Sequence, residues 1–552
     1  MNSVIQQLCR SLQVPATAKR YRDAGVGIAF ILLNQLLVVP IQIMLDLHSI
    51  NLPASILVML LLWLLLIIAN YIHKGTGQFY SKHLRGPTDF LGRHMSFGFV
   101  ASFIMLNRDH ISDALDILRV AGAFVITTLL GYVGSYMLAS GTFKLEQRCR
   151  GRRMKAGDLE SNSKSWPSPS EAWPAPSTAR SPNRISQLPP ISVALVENRS
   201  LTSITPAKRG MVSQWVDYLV RTAPIWISIF LIIVIGIPVY FATRYETPFE
   251  ALFLVLFWIL SVQFQRWLKG SSGLLQFPRL RFTLIIFANP VVVTWGLGTA
   301  YVWIKTSYTG QTIDIVISEF RRHNSLAEGM LAIVNGENFT SHIGAGDLAG
   351  PILDAGIICM GFKMFEYRKE LWESFVTVLT TCVLLAIANV FLNVIIAHAL
   401  GLEKKDATAF AARCVTIAIG VPTMQNLDGS ITLMSALVIF GGIFFQMAGD
   451  WLFSLLRIND RDRQQKSDDG SGSDMEKPTP DRNVSTGPDA AIIAAGVTVG
   501  INAAAMGTAH LMERDSRAMA YSALSMTVFG AIVVVLTAVP SVSDVMVSLA
   551  SR

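Results

Sequence analysis

The sequence predicts an all-α polytopic membrane protein, with a four-helix bundle in its N-terminal part and a larger helical bundle in its C-terminal part. Of its 552 residues, 51% are hydrophobic and only 15% are charged, whereas soluble domains carry roughly a quarter charged residues. Many windows reach the roughly 20 apolar residues that a helix needs to cross a bilayer. Two apolar stretches, residues 410–435 and 494–524, are interrupted in a similar way. Paired interruptions are typical of transporters whose inverted repeats carry broken or re-entrant helices.

The N-terminal part begins with a basic arm, residues 1–24, and continues as the predicted bundle, residues 25–145. Its apolar stretches lie near Gly25–Leu45, Leu52–Ile72, His94–Leu106 and Ala114–Ala139. Lys and Arg precede the first stretch, separate the second from the third and follow the fourth, so the positive-inside rule predicts a cytosolic arm. A mitochondrial presequence stays open as a second interpretation, because the arm is basic and has no acid before Asp23.

Residues 146–214 form the predicted linker between the bundles, and residues 460–489 form a polar insert within the C-terminal bundle. Both segments lack the apolar clusters needed to bury a core, so we expect them to be disordered. Four spans return the chain to its starting side, which makes the linker cytosolic. Ser168 and Ser181 each precede a Pro and are candidate phosphorylation sites, although a plain tether is the simpler interpretation.

The C-terminal bundle, residues 215–552, holds the remaining spans. They are predicted near Ala223–Phe241, Ala251–Leu268, Thr283–Ile304, Leu348–Phe362, Phe375–Leu400, Leu433–Leu456 and Ala518–Val539. The Asn289-Pro290 pair should weaken or kink the third of these helices, because Pro cannot donate the helical hydrogen bond. The polar loop that follows carries a sequon at Asn338, and alternation of spans puts this loop on the non-cytosolic side.

The two broken stretches leave two topologies open. If each stretch is a full span, the insert after Arg457 lies outside the cell or organelle. If each is a re-entrant hairpin, the first enters from outside and the second from inside, and the basic residues from Arg457 to Lys466 become cytosolic. The sequence favours the hairpins, because they also make the two repeats inverted relative to each other.

Arg413 is a charged residue inside the otherwise apolar run of the first broken stretch. An ionisable residue at membrane depth costs several kcal/mol and is by default a candidate functional residue. Its guanidinium can bind a carboxylate through two parallel hydrogen bonds, so Arg413 indicates a small organic anion as substrate. An Arg that snorkels outward to the interface is the alternative.

Other small and polar residues of the broken stretches are predicted to bind the substrate with Arg413. They are Thr416, Thr423, Asn426, Asn502, Gly507 and Thr508. The run from Thr423 to Ser430 is predicted to form a hairpin tip, where helix N-termini direct N–H groups at an anion. An ordinary interfacial turn is the alternative for this run.

Asp354 and His510 are the candidates for coupling transport to H+ or Na+. Asp354 lies within an apolar helix, where it would bind a cation, pair with Arg413 or pack against a neighbour's polar group. A His titrates near neutral pH and can carry a coupling proton. His510 is followed by charged residues at 513–515, so a solvated surface His is an equal alternative.

Several classes of function are not expected from this sequence. It shows no Gly-rich phosphate loop, metal-ligand cluster or catalytic triad, so we expect neither an enzyme nor a cofactor or metal. The net charge of +8 comes from short loops and the linker, where basic residues orient a membrane protein rather than bind nucleic acid. The expected partners are the lipid bilayer and a small organic anion. A homo-oligomer stays open, as does the choice between the mitochondrial inner membrane and the plasma membrane.

Two segments of the C-terminal part resemble the LrgB/CidB family. Arg413–Thr416 stands where the family has Lys-Ser-Val-Thr, and Gly500–Ala509 resembles its Gly-Thr-Ala-Ser-His motif, with Ala503 and Ala504 in place of Ser and His. The N-terminal bundle resembles the LrgA/CidA holin-like family, through Leu52–Ser55 at the entry to its second span. The fused arrangement is similar to the plastidal glycolate/glycerate translocator family.

The resemblance implies a transporter of small hydroxy- or keto-monocarboxylates such as glycolate, glycerate or pyruvate, working by alternating access. A holin-like pore, or a regulator of lysis or cell death, is the alternative that the LrgA-like bundle implies. A scaffold gated by phosphorylation of the linker is a third class.

Overall fold

The computed structural model describes residues 15–48, 53–108, 114–162, 211–271, 278–322, 330, 343–455, 490–514 and 516–550. These residues form helices and no β-strand. Nine of their helices are long and apolar enough to cross a membrane. The predicted all-α polytopic membrane fold is confirmed. The sequon at Asn338, the insert 460–489 and most of the predicted linker lie outside the described residues.

Five helices come from the N-terminal part of the chain. They are α1 (Pro15–Leu47), α2 (Ala54–Ile72), α3 (Arg85–His94), α4 (Phe97–Ile104) and α5 (Ala114–Asn162). The helical segments Thr76–Phe79 and Tyr80–Leu84 lead directly into α3. The first helix begins within the predicted arm, and α5 continues past the predicted start of the linker at residue 146. Residues 146–162 are mostly good helix formers with no Pro, so nothing in the local sequence ends α5 at the membrane surface.

The described residues of the C-terminal part form fifteen further helices. They are α6 (Met211–Leu231), α7 (Thr247–Gly270), α8 (Pro278–Phe287), α9 (Pro290–Thr309), α10 (Ile313–Phe320), α11 (Gly350–Glu366), α12 (Arg368–Glu373), α13 (Phe375–Ala399), α14 (Lys404–Ala409), α15 (Ile417–Leu427), α16 (Ile431–Leu455), α17 (Ala490–Asn502), α18 (Ala504–Glu513), α19 (Ala518–Ala538) and α20 (Pro540–Leu549). Helix α6 is continued by Ile232–Gly236 and Ile237–Thr243. The break predicted at Asn289-Pro290 is present, and Asn289 caps α9 by accepting a hydrogen bond from the Val291 N–H at 2.9 Å.

The N-terminal helices pack closely on the C-terminal helices. Helices α1, α2 and α3 pack on α11, while α5 packs on α13 and α17. Thr142 on α5 and Thr381 on α13 join their hydroxyls at 2.9 Å, and the hydroxyl of Thr377 donates to the carboxylate of Glu146. Buried apolar residues of the N-terminal helices therefore join residues of the C-terminal helices in two shared clusters.

The first broken stretch is a re-entrant hairpin. Helix α14 is extended by a 3₁₀ turn at Phe410–Ala412, the chain then breaks at residues 413–416, and α15 follows. The Ser430 N–H donates to the Lys405 carbonyl at 3.1 Å, so the end of the stretch returns to its beginning. The tip of this first hairpin is therefore residues 413–416.

The second broken stretch, α17 and α18, is also a hairpin, with its tip at Ala503-Ala504. The hydroxyls of Thr508 on α18 and Ser522 on α19 lie 2.8 Å apart, and Gly500 on α17 packs directly on the Ser522 backbone. Because both helices reach the same residue of α19, α17 and α18 lie side by side. The chain therefore turns back at the second tip.

The two hairpins enter from opposite ends of the helices. Helix α18 packs along α16 in the same direction: Met506 contacts Gly442 near the middle of α16, and Arg514 donates to Asp450 near its C-terminus. The second hairpin therefore starts at the end where α16 finishes, which we call the linker end, and the first starts at the opposite, loop end. The predicted inverted, re-entrant arrangement is confirmed.

Candidate functional site

A cavity of about 740 Å³ lies between two walls of helices. One wall is formed by α1, α2, α4 and α11, and it brings Gln35, Ser55 and Asp354 to the cavity. The other wall is formed by the two hairpin tips and α16, and it brings residues 416–418 and 503–506 to the cavity. Both interruptions of the sequence therefore meet at one concave site, as paired broken helices do in transporters.

Two helix N-termini face this cavity. Helix α15, of 11 residues, begins after Thr416, and helix α18, of 10 residues, begins after Ala503. The first N–H groups of a helix have no intrahelical acceptor, and the helix dipole adds a partial positive charge there. Together they favour a negatively charged group in the cavity.

Thr416 adds a side chain to this arrangement. Its backbone is extended, at φ −72° and ψ 152°, which suits a β-branched residue better than a helix does. Its Oγ1 is buried and has no hydrogen-bond partner among the described residues. A buried hydroxyl without a partner is costly, and a bound ligand or water would satisfy it.

The second tip is strained. Ala504 has φ +44°, a left-handed conformation that costs a non-glycine residue roughly 1–2 kcal/mol. Such strain persists where the surrounding structure imposes it, often at functional sites. Here it lets the chain reverse between α17 and α18 with only small side chains at the tip.

Arg413 belongs to the first tip but points away from the cavity, into α5. Its Nη2 donates to the Thr127 carbonyl at 2.6 Å and its Nη1 to Thr128 Oγ1 at 3.2 Å. The residue is only 2% exposed, so it does not snorkel to the interface, and no described carboxylate lies within ion-pair distance. Asn502, from the second hairpin, bonds the same helix through the Gly131 carbonyl at 3.3 Å and Ser135 Oγ at 2.9 Å.

The remaining predicted substrate-binding residues do not line the cavity. Thr423 bonds the Ile419 carbonyl within α15, and Asn426 is exposed. Thr508 bonds Ser522 and the Ala504 carbonyl, and Gly507 packs on its own hairpin and on α16.

The hairpin tip predicted between Thr423 and Ser430 is wrong, because that run forms the base of the first hairpin at the loop end. The Gly and Asp that suggested a tip end α15 instead, where Asp428 adopts a left-handed φ of 50°. Helix-ending residues mark both the tip and the base of a re-entrant hairpin, and only the pairing of Ser430 with Lys405 distinguishes the two.

The two coupling candidates lie in different places. Asp354 lines the cavity, and Gln35 Nε2 lies 3.5 Å from its carboxylate. His510 lies at the linker end, outside the cavity lining, with its Nε2 3.1 Å from Asp450 Oδ1. Sequence reasoning missed Gln35 and Ser55, although the polar pair Asn34-Gln35 inside the first apolar stretch was a usable signal.

The cavity reaches the loop end and is closed at the linker end. Asp46, Arg321 and Arg322 line it towards the loop end. Towards the linker end, Ser96 donates to Glu513 at 2.7 Å. Helix α3 also packs so closely on α18 there that a side chain at position 92 would overlap Met512.

The part of the chain that carries the two hairpins is similar to a known protein family. Residues 279–465 and 490–542 match the model of the LrgB-like family, which includes both hairpins. The predicted resemblance of the C-terminal part is confirmed, and the resemblance of the N-terminal part to LrgA stays a prediction. No solved structure matches the chain.

The individual relatives are distant. "Holin-like protein CidB" of Staphylococcus epidermidis is 22% identical over 203 residues, which are 37% of this chain and 75% of the relative. CidB of Staphylococcus aureus is 20% identical over 202 residues, again 37% of this chain and 75% of the relative. "Plastidal glycolate/glycerate translocator 1, chloroplastic" of Arabidopsis thaliana is 21% identical over 200 residues, which are 36% of this chain and 33% of the plant protein.

Proposed function

We propose that this chain, whose C-terminal region is LrgB-like, is a membrane transporter of small hydroxy- or keto-monocarboxylates. Substrates of the glycolate, glycerate and pyruvate type enter the cavity from the loop end and leave at the linker end by alternating access. The plant relative is named for glycolate and glycerate, which supports this substrate class.

One observation carries the proposal: two helix N-termini from inverted hairpins face one cavity within the membrane-spanning region. A carboxylate between them would accept hydrogen bonds from the first turns of α15 and α18 and from Thr416 Oγ1. The substrate's remaining polar groups would face Gln35, Ser55 and Asp354 on the other wall. A small monocarboxylate supplies both kinds of group.

Arg413 contributes its charge to this proposed site from behind the first tip. Its described contacts are neutral oxygens of α5, so its positive charge has no ion-pair partner among them. Charges act over several ångströms where water is excluded, and Arg413 precedes the Thr416 cap by three residues. We therefore keep Arg413 as a substrate-binding residue in the electrostatic sense. We propose that the remaining predicted residues stabilise the hairpins and do not contact the substrate. They are Thr423, Asn426, Gly507 and Thr508.

Asp354 is the proposed coupling residue. It is an acid on the cavity wall opposite the tips, with the neutral Gln35 as a hydrogen-bond partner. Binding of H+ or Na+ there would compensate the charge of a carboxylate at the tips. The cation and the substrate would then cross together without net charge. His510 is the weaker candidate, because its contact is with Asp450 at the linker end.

The proposal is tested with purified protein in liposomes and a panel of radiolabelled acids. Uptake of glycolate, glycerate or pyruvate should saturate and should distinguish D- from L-glycerate, whereas a dicarboxylate should not compete. Thr416→Ala should raise the KM and Thr416→Ser should retain it, because Ser keeps the hydroxyl. Absence of saturable uptake for every monocarboxylate would refute the proposal.

A holin-like pore is the second candidate, because the CidB relatives carry that name. A pore would release uncharged dyes from liposomes according to their size, without saturation. Size-graded release together with no stereoselective uptake would favour the pore over the transporter.

A further inference from the structure

Gly131 on α5 is the point where the two hairpin tips meet the N-terminal part of the chain. A methyl group at this position would lie 2.7 Å from Arg413 Nη2 and would overlap Asn502 Oδ1. These two side chains come from different hairpins, yet each also hydrogen-bonds α5 within one turn of Gly131. The bare backbone of Gly131 is what allows both to approach.

We propose that α5 is the positioning helix for both tips, and that Arg413 and Asn502 are the positioning residues that fix the two tips relative to each other. This inference rests on the proposed function, since the tips are the proposed anion site. If α5 positions the tips, the N-terminal part of the chain contributes to the transport site, although α5 lies outside the residues that match the LrgB-like family.

The hydrogen bonds of α5 indicate that this helix fixes the positions of the tips and does not only pack against them. Asn502 Nδ2 reaches Ser135 Oγ at 2.9 Å as well as the Gly131 carbonyl, and Ser135 donates to that same carbonyl at 2.6 Å. All the partners are buried, so displaced groups would find no water to replace the lost bonds. Movement of either side chain would therefore move its tip.

The same helix provides a matched control. A methyl group at Gly134 would have no atom within 4 Å, so Gly134→Ala changes helix propensity as Gly131→Ala does but contacts neither tip. Ser135→Ala is a second test variant, because it removes one acceptor of Asn502 without adding volume.

The experiment measures the position of the tip and the transport kinetics separately. In a background without native cysteines, Thr416→Cys is labelled from the loop end with a charged methanethiosulfonate, with and without Gly131→Ala or Gly134→Ala. Uptake of the radiolabelled monocarboxylate is measured for the same glycine variants in the chain that retains Thr416. Gly131→Ala should change the labelling rate and raise the KM roughly tenfold, since bonds of a charged group are disturbed. Ser135→Ala should act in the same direction to a smaller extent, and Gly134→Ala should change neither quantity.

Equal labelling rates and equal KM values for Gly131→Ala and Gly134→Ala would overturn the inference while leaving the proposed function intact. If the chain transports no monocarboxylate, the proposed function fails. The labelling rate then still decides whether α5 positions the tip.

Discussion

Ser96 on the N-terminal side and Glu513 at the end of the second hairpin are joined by a hydrogen bond of 2.7 Å. This bond closes the linker end of the cavity, and Gln446 Nε2 lies 3.5 Å from the same Ser96 hydroxyl. Ser96 precedes α4, which lines one wall of the cavity, and Glu513 ends α18, whose first turn lines the other. Alternating access would require this contact to open, because it lies on the exit path.

A disulfide across this contact should therefore stop transport. We expect the Ser96→Cys/Glu513→Cys pair, oxidised in a cysteine-free background, to lose uptake and to recover it on reduction. The control pair is Thr142→Cys/Thr381→Cys, which joins α5 to α13. The parent hydroxyls lie 2.9 Å apart, and neither residue lines the cavity. Full uptake by the oxidised test pair would show that this end does not open during the cycle.

Replacements of Arg413 should distinguish the contribution of its positive charge to uptake from the contribution of its two hydrogen bonds. Arg413→Ala removes the donor of the buried hydrogen bonds to the Thr127 carbonyl and the Thr128 hydroxyl, so we expect at least a tenfold loss of uptake at low substrate concentration. Arg413→Lys should recover part of it, because the positive charge remains while the two-nitrogen contact does not. Unchanged uptake with Ala would eliminate Arg413 from the site.

Asp354→Asn should uncouple transport from the driving ion. With the carboxylate gone, an inward gradient of H+ or Na+ should no longer accelerate uptake, whereas exchange of internal for external substrate should continue. Applying each gradient alone to the wild type identifies the ion, and the variant is then compared under that gradient. Gradient-stimulated uptake by Asp354→Asn would contradict the assignment.

The ion pairs that Lys363 of α11 makes with Asp89 of α3 and with Glu366 of α11 should contribute strongly to stability. Lys363 Nζ lies 2.7 Å from Asp89 Oδ1 and 3.3 Å from Glu366 Oε2, and its side chain is only 4% exposed. Removing one partner of a buried pair typically costs about 3–5 kcal/mol, because a charge is left uncompensated. Lys363→Met should therefore lower the melting temperature, and Lys363→Met/Asp89→Asn should recover part of the loss.

Thermal unfolding with a thiol-reactive dye can measure this effect, because Cys359, Cys382 and Cys414 are free and buried. Lys369→Met provides a comparison, since this lysine takes part in neither of these ion pairs of Lys363. An equal melting temperature for Lys363→Met and the wild type would mean that the pair contributes nothing net.

The sequence by itself determined the class of the protein and most of its helices. A bilayer requires every backbone polar group to be bonded within the segment, so long apolar runs such as Phe375–Ala399 could be predicted nearly to the residue. The kink at Asn289-Pro290 follows equally from local chemistry. The re-entrant topology could be favoured in advance because basic residues mark the cytosolic side.

Tertiary structure alone decided which part of each hairpin is the tip and what Arg413 contacts. The base of the first hairpin depends on a bond between Ser430 and Lys405, and the partners of Arg413 lie in α5, far away in the sequence. Short-range patterns mark where helices end but not which ends meet in space. The packing of α5 against both hairpins, with Gly131 between Arg413 and Asn502, follows only from the shared burial of these helices.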